Sequence, residues 1–198
     1  MLRRFLHRHQ TQVSTARWLK AGLGAGLVFG LIWWLGDAAG VPLIVAPLGA
    51  SAVLVLGLPE SPLSQPAHVI GGHAVAAGLA LAADHLLPGG PITLAITVGA
   101  VIALVGLLRL THPPAGATAL VVMLTHPDWP FLVTPVIAGS LILVLIAVLV
   151  HRLPPRTTYP LPIPEPIRPP PPETGGGGKL VFGQVLPADR RATDEVER

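Results

Sequence analysis

The feature that most restricts this chain is the length of its charge-free runs. Residues 21–36, 38–59, 86–108 and 129–150 contain no Asp, Glu, Lys or Arg, and residues 67–83 carry only His68 and His73 as titratable groups. About 20 apolar residues in a helix cross the hydrocarbon core of a bilayer. Several such runs within 198 residues therefore predict an all-α polytopic membrane protein. Charged residues make up 12% of the chain, about half the share usual in soluble domains, and that is too little polar surface to clothe a soluble fold. No cysteine is present, which excludes disulfides, thiolate metal sites and a cysteine nucleophile.

The basic residues are placed as a membrane topology rather than as a nucleic-acid patch. Arg3, Arg4, Arg8, Arg17 and Lys20 precede the first span. Arg152, Arg156, Arg168, Lys179, Arg190, Arg191 and Arg198 follow the last, and only Arg109 lies between. Positive charge stays on the cytoplasmic side, so both termini are expected there, in a multi-pass protein of the cell inner membrane. A cleaved signal peptide over residues 1–39 is disfavoured, because the apolar stretch outruns an h-region and further spans follow.

The expected architecture is four long transmembrane helices plus two short Pro-broken segments. The long helices fall near 18–36, 68–87, 92–110 and 131–150. The short segments follow Pro47 and Pro114, the second over 115–125. In outline, 1–17 is a basic cytoplasmic N-terminus, 18–152 the transmembrane domain, and 153–198 a Pro/Gly-rich tail expected to be disordered. Ten prolines between Pro154 and Pro172 and the glycines 175–178 give that tail no core of its own. Its stretch TYPLPIPEPIRPPPP suits a proline-reading module. Gly22, Gly26 and Gly30 recur on one face of the first span, a spacing that admits a second helix closely and suggests a homo-oligomer.

An internal repeat is visible. Pro47-Leu48-Gly49-Ala50-Ser51-Ala52 matches Pro114-Ala115-Gly116-Ala117-Thr118-Ala119, 67 positions on. The same offset carries the first long span onto the third and the second onto the fourth, within a few residues, giving two three-segment halves. If the short segments cross the membrane, the halves are inverted, as in many transporters, and Arg109 is cytoplasmic. If they re-enter, the halves are parallel and Arg109 is external.

The stretches THPPAGATAL at 111–120, APLGASAVLVLGLPESPLSQP at 46–66 and HVIGGH at 68–73 resemble the HPP family of integral membrane proteins, over about residues 15–153. That resemblance implies a membrane domain generally described as four-span. It also implies, from plastid and cyanobacterial members, a link to nitrite transport. Some members carry cytoplasmic CBS domains, and none is evident here.

The residues themselves point toward a small-anion pathway. A short helix starts after each repeat proline, and helix N-termini offer unpaired N–H groups and partial positive charge. The expected binding residues are Gly49, Ala50, Ser51, His112, Gly116, Ala117 and Thr118. Pro47, Pro113 and Pro114 would shape the site, with His68, His73 and Arg109 as a polar relay. One helix terminus contributes only about 1–2 kcal/mol, so side-chain donors are needed to replace an anion's water. No metal or cofactor is expected. No catalysis is expected either: Ser51 with His112 is the only candidate pair, and nothing in the sequence brings them together. The alternative function is a non-transporting membrane scaffold that recruits a partner through its Pro-rich tail. The expected partners are the lipid bilayer and a small inorganic anion, with no nucleic acid.

Overall fold

The structure, a computed structural model, describes residues 6–7 and 12–163. Arg3, Arg4 and Arg8, and the tail from Pro164 onward with most of the proline-module stretch, lie outside the described residues. The described chain forms six α-helices: α1 (Thr15–Ala39), α2 (Pro47–Gly57), α3 (Pro66–Leu86), α4 (Pro91–Leu107), α5 (Pro113–Thr125) and α6 (Ala138–Arg152), with a single 3₁₀ turn at Pro62–Ser64.

Proline sets most of the helix starts. Pro47, Pro66, Pro91 and Pro113 open α2 to α5, at the position where a missing N–H costs nothing and the fixed φ already fits. Helix α1 is instead capped by the Ser14 hydroxyl, which accepts from the Arg17 amide. It stops at Gly40, whose φ of 65° lets its N–H turn back onto the Gly36 and Asp37 carbonyls. Ahead of α6 the chain is wound over Leu132–Ile137 but breaks at Thr134 (φ −127°, ψ 118°), the extended conformation that a following proline, here Pro135, imposes.

Three stretches are long and apolar enough to cross a membrane: Thr15–Ala39, Pro66–Leu86 and Leu132–Arg152. The fourth expected long helix is shorter. Helix α4 has 17 residues, about 25 Å at 1.5 Å per residue, because the chain turns out of the helix at Arg109, where φ is +56°.

The helices pack around two cores. The first joins Val28 and Ile32 of α1, Leu48 and Val55 of α2, and Leu143 and Ala147 of α6. The second joins Ala76 and Ala80 of α3, Val101 of α4, and Ala119 and Val122 of α5. Helix α6 therefore completes the core of α1 and α2, while α3 completes that of α4 and α5. Between the cores, α2 meets α5 and α3 meets α6.

Two glycines permit the closest approaches. A Cβ on Gly139 of α6 would lie 2.5 Å from the Leu43 carbonyl oxygen and 2.7 Å from Leu48 Cδ1. A Cβ on Gly72 of α3 would lie 2.9 Å from the Leu110 carbonyl oxygen and 3.5 Å from Ala115 Cβ. The stripe that α1 buries is Ala21, Gly24, Val28, Ile32 and Gly36. The face expected to seat a helix, Gly22, Gly26 and Gly30, points outward with nothing within 4 Å.

Helices α1 and α2 run antiparallel side by side. Gly36 near the end of α1 sits against Val41, while Trp18 near its start packs on Gly57 at the end of α2. Arg17 then pairs with Glu60 in the following loop. Burial pushes the Glu60 carboxyl up, but its backbone hydrogen bond and the Arg17 guanidinium outweigh this and hold it below the usual carboxylate range. Both side chains are partly exposed, so the pair contributes at most about 1 kcal/mol. Loop 58–65, the start of α3, and residues 109–112 all meet at this same end, since His68 Nδ1 reaches the Thr111 carbonyl (3.1 Å). The end thus carries Arg17, Lys20, Arg109, Arg152 and Arg156 and is called the terminal face below. At the opposite end Asp84 meets His126 (2.7 Å) and His85 faces Asp128.

Residues 153–163 are mostly exposed but tied down at a few points. Tyr159 belongs to the first core, lies against His151, and donates its hydroxyl to the Ser64 carbonyl (3.0 Å). Burial pushes its phenol pKa up. The Leu161 amide donates to Gln65 Oε1 (2.8 Å), and Lys20 Nζ donates to the Pro155 carbonyl (2.5 Å). Leu153–Ile163 is therefore a strap across loop 59–65.

The glycine contacts give a direct test. Gly139→Ala drives a methyl into backbone, which costs about 1–3 kcal/mol, and should lower the thermal midpoint of the purified protein by several degrees. Gly30→Ala meets open space and gains up to about 1 kcal/mol of helix propensity. Its midpoint should stay level or rise.

Candidate functional site

Between the two cores lies a fully buried polar junction built by three helices. Ser51 comes from the second turn of α2, His73 from about two turns into α3, and Thr118 from the second turn of α5. His112 is the residue just before α5. All four are at most 1% exposed. Ser51 Oγ lies 2.8 Å from Nε2 of His73 and 2.8 Å from Nε2 of His112. His73 Nδ1 lies 2.7 Å from Thr118 Oγ1, and His112 Nδ1 lies 2.8 Å from the Leu63 carbonyl oxygen. The two rings stand edge to face with centroids 5.1 Å apart.

A carbonyl only accepts, so His112 carries its proton on Nδ1 and its uncharged ring presents a lone pair at Nε2. Ser51 then donates to His112 and accepts from His73 Nε2–H, which leaves His73 Nδ1 to accept from the Thr118 hydroxyl. Each hydrogen is placed by its partners, and one continuous polarity results: Thr118 to His73 to Ser51 to His112 to Leu63.

This junction unites Ser51, His112 and Thr118, and adds His73 as their link. The sequence offered no reason for Ser51 and His112 to meet; the fold supplies one, because Gly72 lets α3 press against Leu110 and His112 Cβ (3.0 Å from a built Cβ). The other expected binding residues lie elsewhere. Ala50 and Ala117 are exposed, and Gly49 and Gly116 half-buried. Gly49 lines a cavity of about 200 Å³ with Trp18, Gly22 and Phe29. Some of the amides at the two helix starts are engaged within their own turns. Leu48 and Gly49 already donate to Val45 and Ala46, and Ala115 to His112 (2.9–3.0 Å), while Pro47, Pro113 and Pro114 have no N–H to give. Pro47 and Pro113 start α2 and α5 about one turn before Ser51 and Thr118. Arg109 is exposed and takes no part, and His68 is occupied with Thr111.

Three polar groups escaped the sequence reading. His151 bridges Thr157 Oγ1 (2.5 Å) and the Val55 carbonyl (2.9 Å), and Tyr159 closes the strap. Thr97 on α4 is buried, and its hydroxyl has no hydrogen-bond partner among the described residues. No spacing in the sequence marks any of these, since each depends on contacts between distant segments.

Helices of this length around a buried polar junction define a multi-pass helical membrane protein. Residues 10–160 match the model of the HPP transmembrane region, and the chain belongs to that family. It is similar to two transmembrane proteins of Dictyostelium discoideum. One is 33% identical over 131 residues, covering 62% of this chain and 46% of the relative. The other is 33% identical over 126 residues, covering 60% and 40%. The chain thus spans less than half the length of these relatives. No solved structure matches it.

Removing the central hydroxyl leaves two buried imidazole nitrogens unpaired, at about 1–3 kcal/mol for each orphaned group. Ser51→Ala should therefore lower the thermal midpoint clearly. Thr97→Val removes an unpaired hydroxyl and should leave the midpoint unchanged or raise it.

Proposed function

We propose that the protein is a membrane transporter for a small inorganic anion, carried through the junction of α2, α3 and α5. Nitrite, the ion that the family resemblance implies, is the first substrate to test. The observation that carries this reading is the Ser51–His73–His112–Thr118 network. Polar side chains deep inside a membrane protein are expensive and are retained for substrate or ion pathways. Four O–H or N–H donors converge here, each now donating within the network or to Leu63. Redirected to an anion, they supply the hydrogen bonds that helix dipoles of about 1–2 kcal/mol cannot replace.

The pattern of contacts supports two inverted three-helix halves. The 67-position offset carries Gly72 onto Gly139, and it carries two of the three contacts of Gly72, Leu110 and Ala115 but not His112, back onto those of Gly139, Leu43 and Leu48. It also pairs six of the seven buried residues of α2 (Pro47, Leu48, Ser51, Ala52, Val55, Leu56) with those of α5 (Pro114, Ala115, Thr118, Ala119, Val122, Met123). Val28, Ile32 and Gly36 of α1 pair with Thr97, Val101 and Val105 of α4 at an offset two longer. Under this arrangement Ser51 and Thr118 flank a pseudo-twofold axis, where such transporters bind substrate. All six helices cross, and the basic terminal face is cytoplasmic.

The chain is proposed to be no enzyme. Ser51 and His112 form a hydrogen-bonded pair, but the outer nitrogens of the two rings face a carbonyl and a hydroxyl. A catalytic serine–histidine pair needs a group that stabilises the imidazolium, usually a carboxylate.

Purified protein in liposomes should admit nitrite faster than protein-free liposomes. His112→Ala and Thr118→Val should each cut the protein-dependent rate at least tenfold while still inserting. Wild-type vesicles no faster than empty ones would remove the reading, and wild-type rates in both variants would remove the site.

A further inference from the structure

We infer that the junction is also a proton relay, running from Thr118 through His73 and Ser51 to His112 and the terminal face, and that it loads one proton with each anion. This rests on the transport reading for its coupled partner, but the relay has its own geometry.

The polarity fixed by the Leu63 carbonyl aligns every link in one direction. A proton arriving on His73 Nδ1, as the Thr118 hydroxyl turns away, makes that ring an imidazolium. Its Nε2–H bond then breaks as a new O–H bond forms on Ser51 Oγ. The original Ser51 O–H bond breaks as His112 Nε2 gains that proton. His112, now carrying both N–H bonds, releases the proton of Nδ1 beside Leu63. One proton has entered at His73 and one has left from His112 to water at the terminal face; both rings now hold the opposite tautomer, and they return to the first by turning or by the reverse passage before the next proton moves. The reverse sequence runs equally well.

Ser51 is suited to the central position. Its oxygen also lies 3.2 Å from the Pro47 carbonyl. When His112 holds both protons and donates from Nε2, the Ser51 hydroxyl can turn to that carbonyl instead. The charged His112 therefore leaves its own two N–H groups and the Ser51 hydroxyl partnered.

The relay is one-sided. At the 67-position offset His73 corresponds to Ser140 and His112 to Val45. Ser140 spends its hydroxyl on the Val136 carbonyl (2.5 Å). The proton-carrying groups thus join the membrane interior to the terminal face only. Around the junction, α2 and α5 bring no other titratable group within the membrane, and α6 brings two at its end, the exposed Arg152 and His151, which is held by Val55 and Thr157. Loop 58–65 brings Glu60, paired with Arg17. His68 of α3 and Arg109 stand at the terminal-face end.

The coupling follows from charge. An imidazolium without a counter-ion in this junction is costly, and so is a bare anion. Together they are neutral, so each favours loading of the other and the pair crosses without net charge.

The test uses full-length protein in liposomes with an entrapped pH dye, in mildly alkaline buffer where little free nitrous acid leaks through lipid. An inward nitrite gradient should acidify the lumen in proportion to nitrite uptake. The rate should not change when a potassium–valinomycin potential of either sign is imposed. Ser51→Ala should lose the acidification. Nitrite entry without acidification, or entry that follows the potential, would overturn the relay while leaving the anion pathway standing. A wild-type protein that moves no nitrite would instead overturn the transport reading and the coupling with it. Nitrogen-15 NMR of histidine-labelled protein, assigned with His73→Gln and His112→Gln, decides the relay without transport. Protons on His112 Nδ1 and His73 Nε2, or on both opposite nitrogens as after one passage, support it, and the same nitrogen protonated in both rings breaks the alignment and overturns it.

Discussion

A polar side chain held away from water must find its partner inside the protein, and that constraint organises the centre of this molecule. His73 and His112 are both buried, and neither can satisfy its two ring nitrogens from its own helix. Ser51 of α2 serves both rings, Thr118 of α5 serves the far nitrogen of His73, and the Leu63 carbonyl serves the far nitrogen of His112. Four segments are thereby fixed against one another. Packing makes the arrangement reachable: with any side chain at position 72, α3 would stand too far from residues 110–115 for these bonds to close.

The rest of the fold is arranged around that junction as two apolar clusters, each built from a long helix, a short proline-started helix and a third helix that arrives from the other half of the chain. Dispersion and burial hold each cluster, whereas the contacts between the clusters include the hydrogen-bonded network. An apolar interface in lipid has little hydrophobic force to align it. Directional bonds between His73, Ser51 and Thr118 supply the register that the alanine-rich surfaces of α3 and α5 do not.

Much of this was legible in the sequence. Charge-free runs located the spans, Pro47 and Pro114 located the starts of the short segments to within a residue, and the matched hexapeptides brought Ser51 and Thr118 forward as a pair. What could not be read was which face of each helix is buried. In α1 nearly every residue is apolar or small, so the glycines at 22, 26 and 30 look no different from Gly24 and Gly36, yet only the latter two meet protein. Lipid and protein interior select the same residue types, and hydrophobic periodicity loses its power to separate them. At the two helix starts the Leu48, Gly49 and Ala115 N–H groups turn back onto Val45, Ala46 and His112, local turns that the matched hexapeptides do not announce. The meeting of His112 with Ser51, and the burial of Tyr159, depend on contacts between segments dozens of residues apart, which no local pattern encodes.

The exchange of α3 and α6 between the two clusters has a consequence for how the chain is made. A ribosome delivers α1 and α2 to the membrane early, but the helix that closes their cluster is the last to emerge. Until then Gly24, Val55 and Leu48 face lipid, or a insertion factor shielding them, in place of Val150, His151 and Gly139. Biogenesis therefore cannot proceed by finishing one half and adding the next; the early helices must stay uncommitted in the bilayer until synthesis is nearly over.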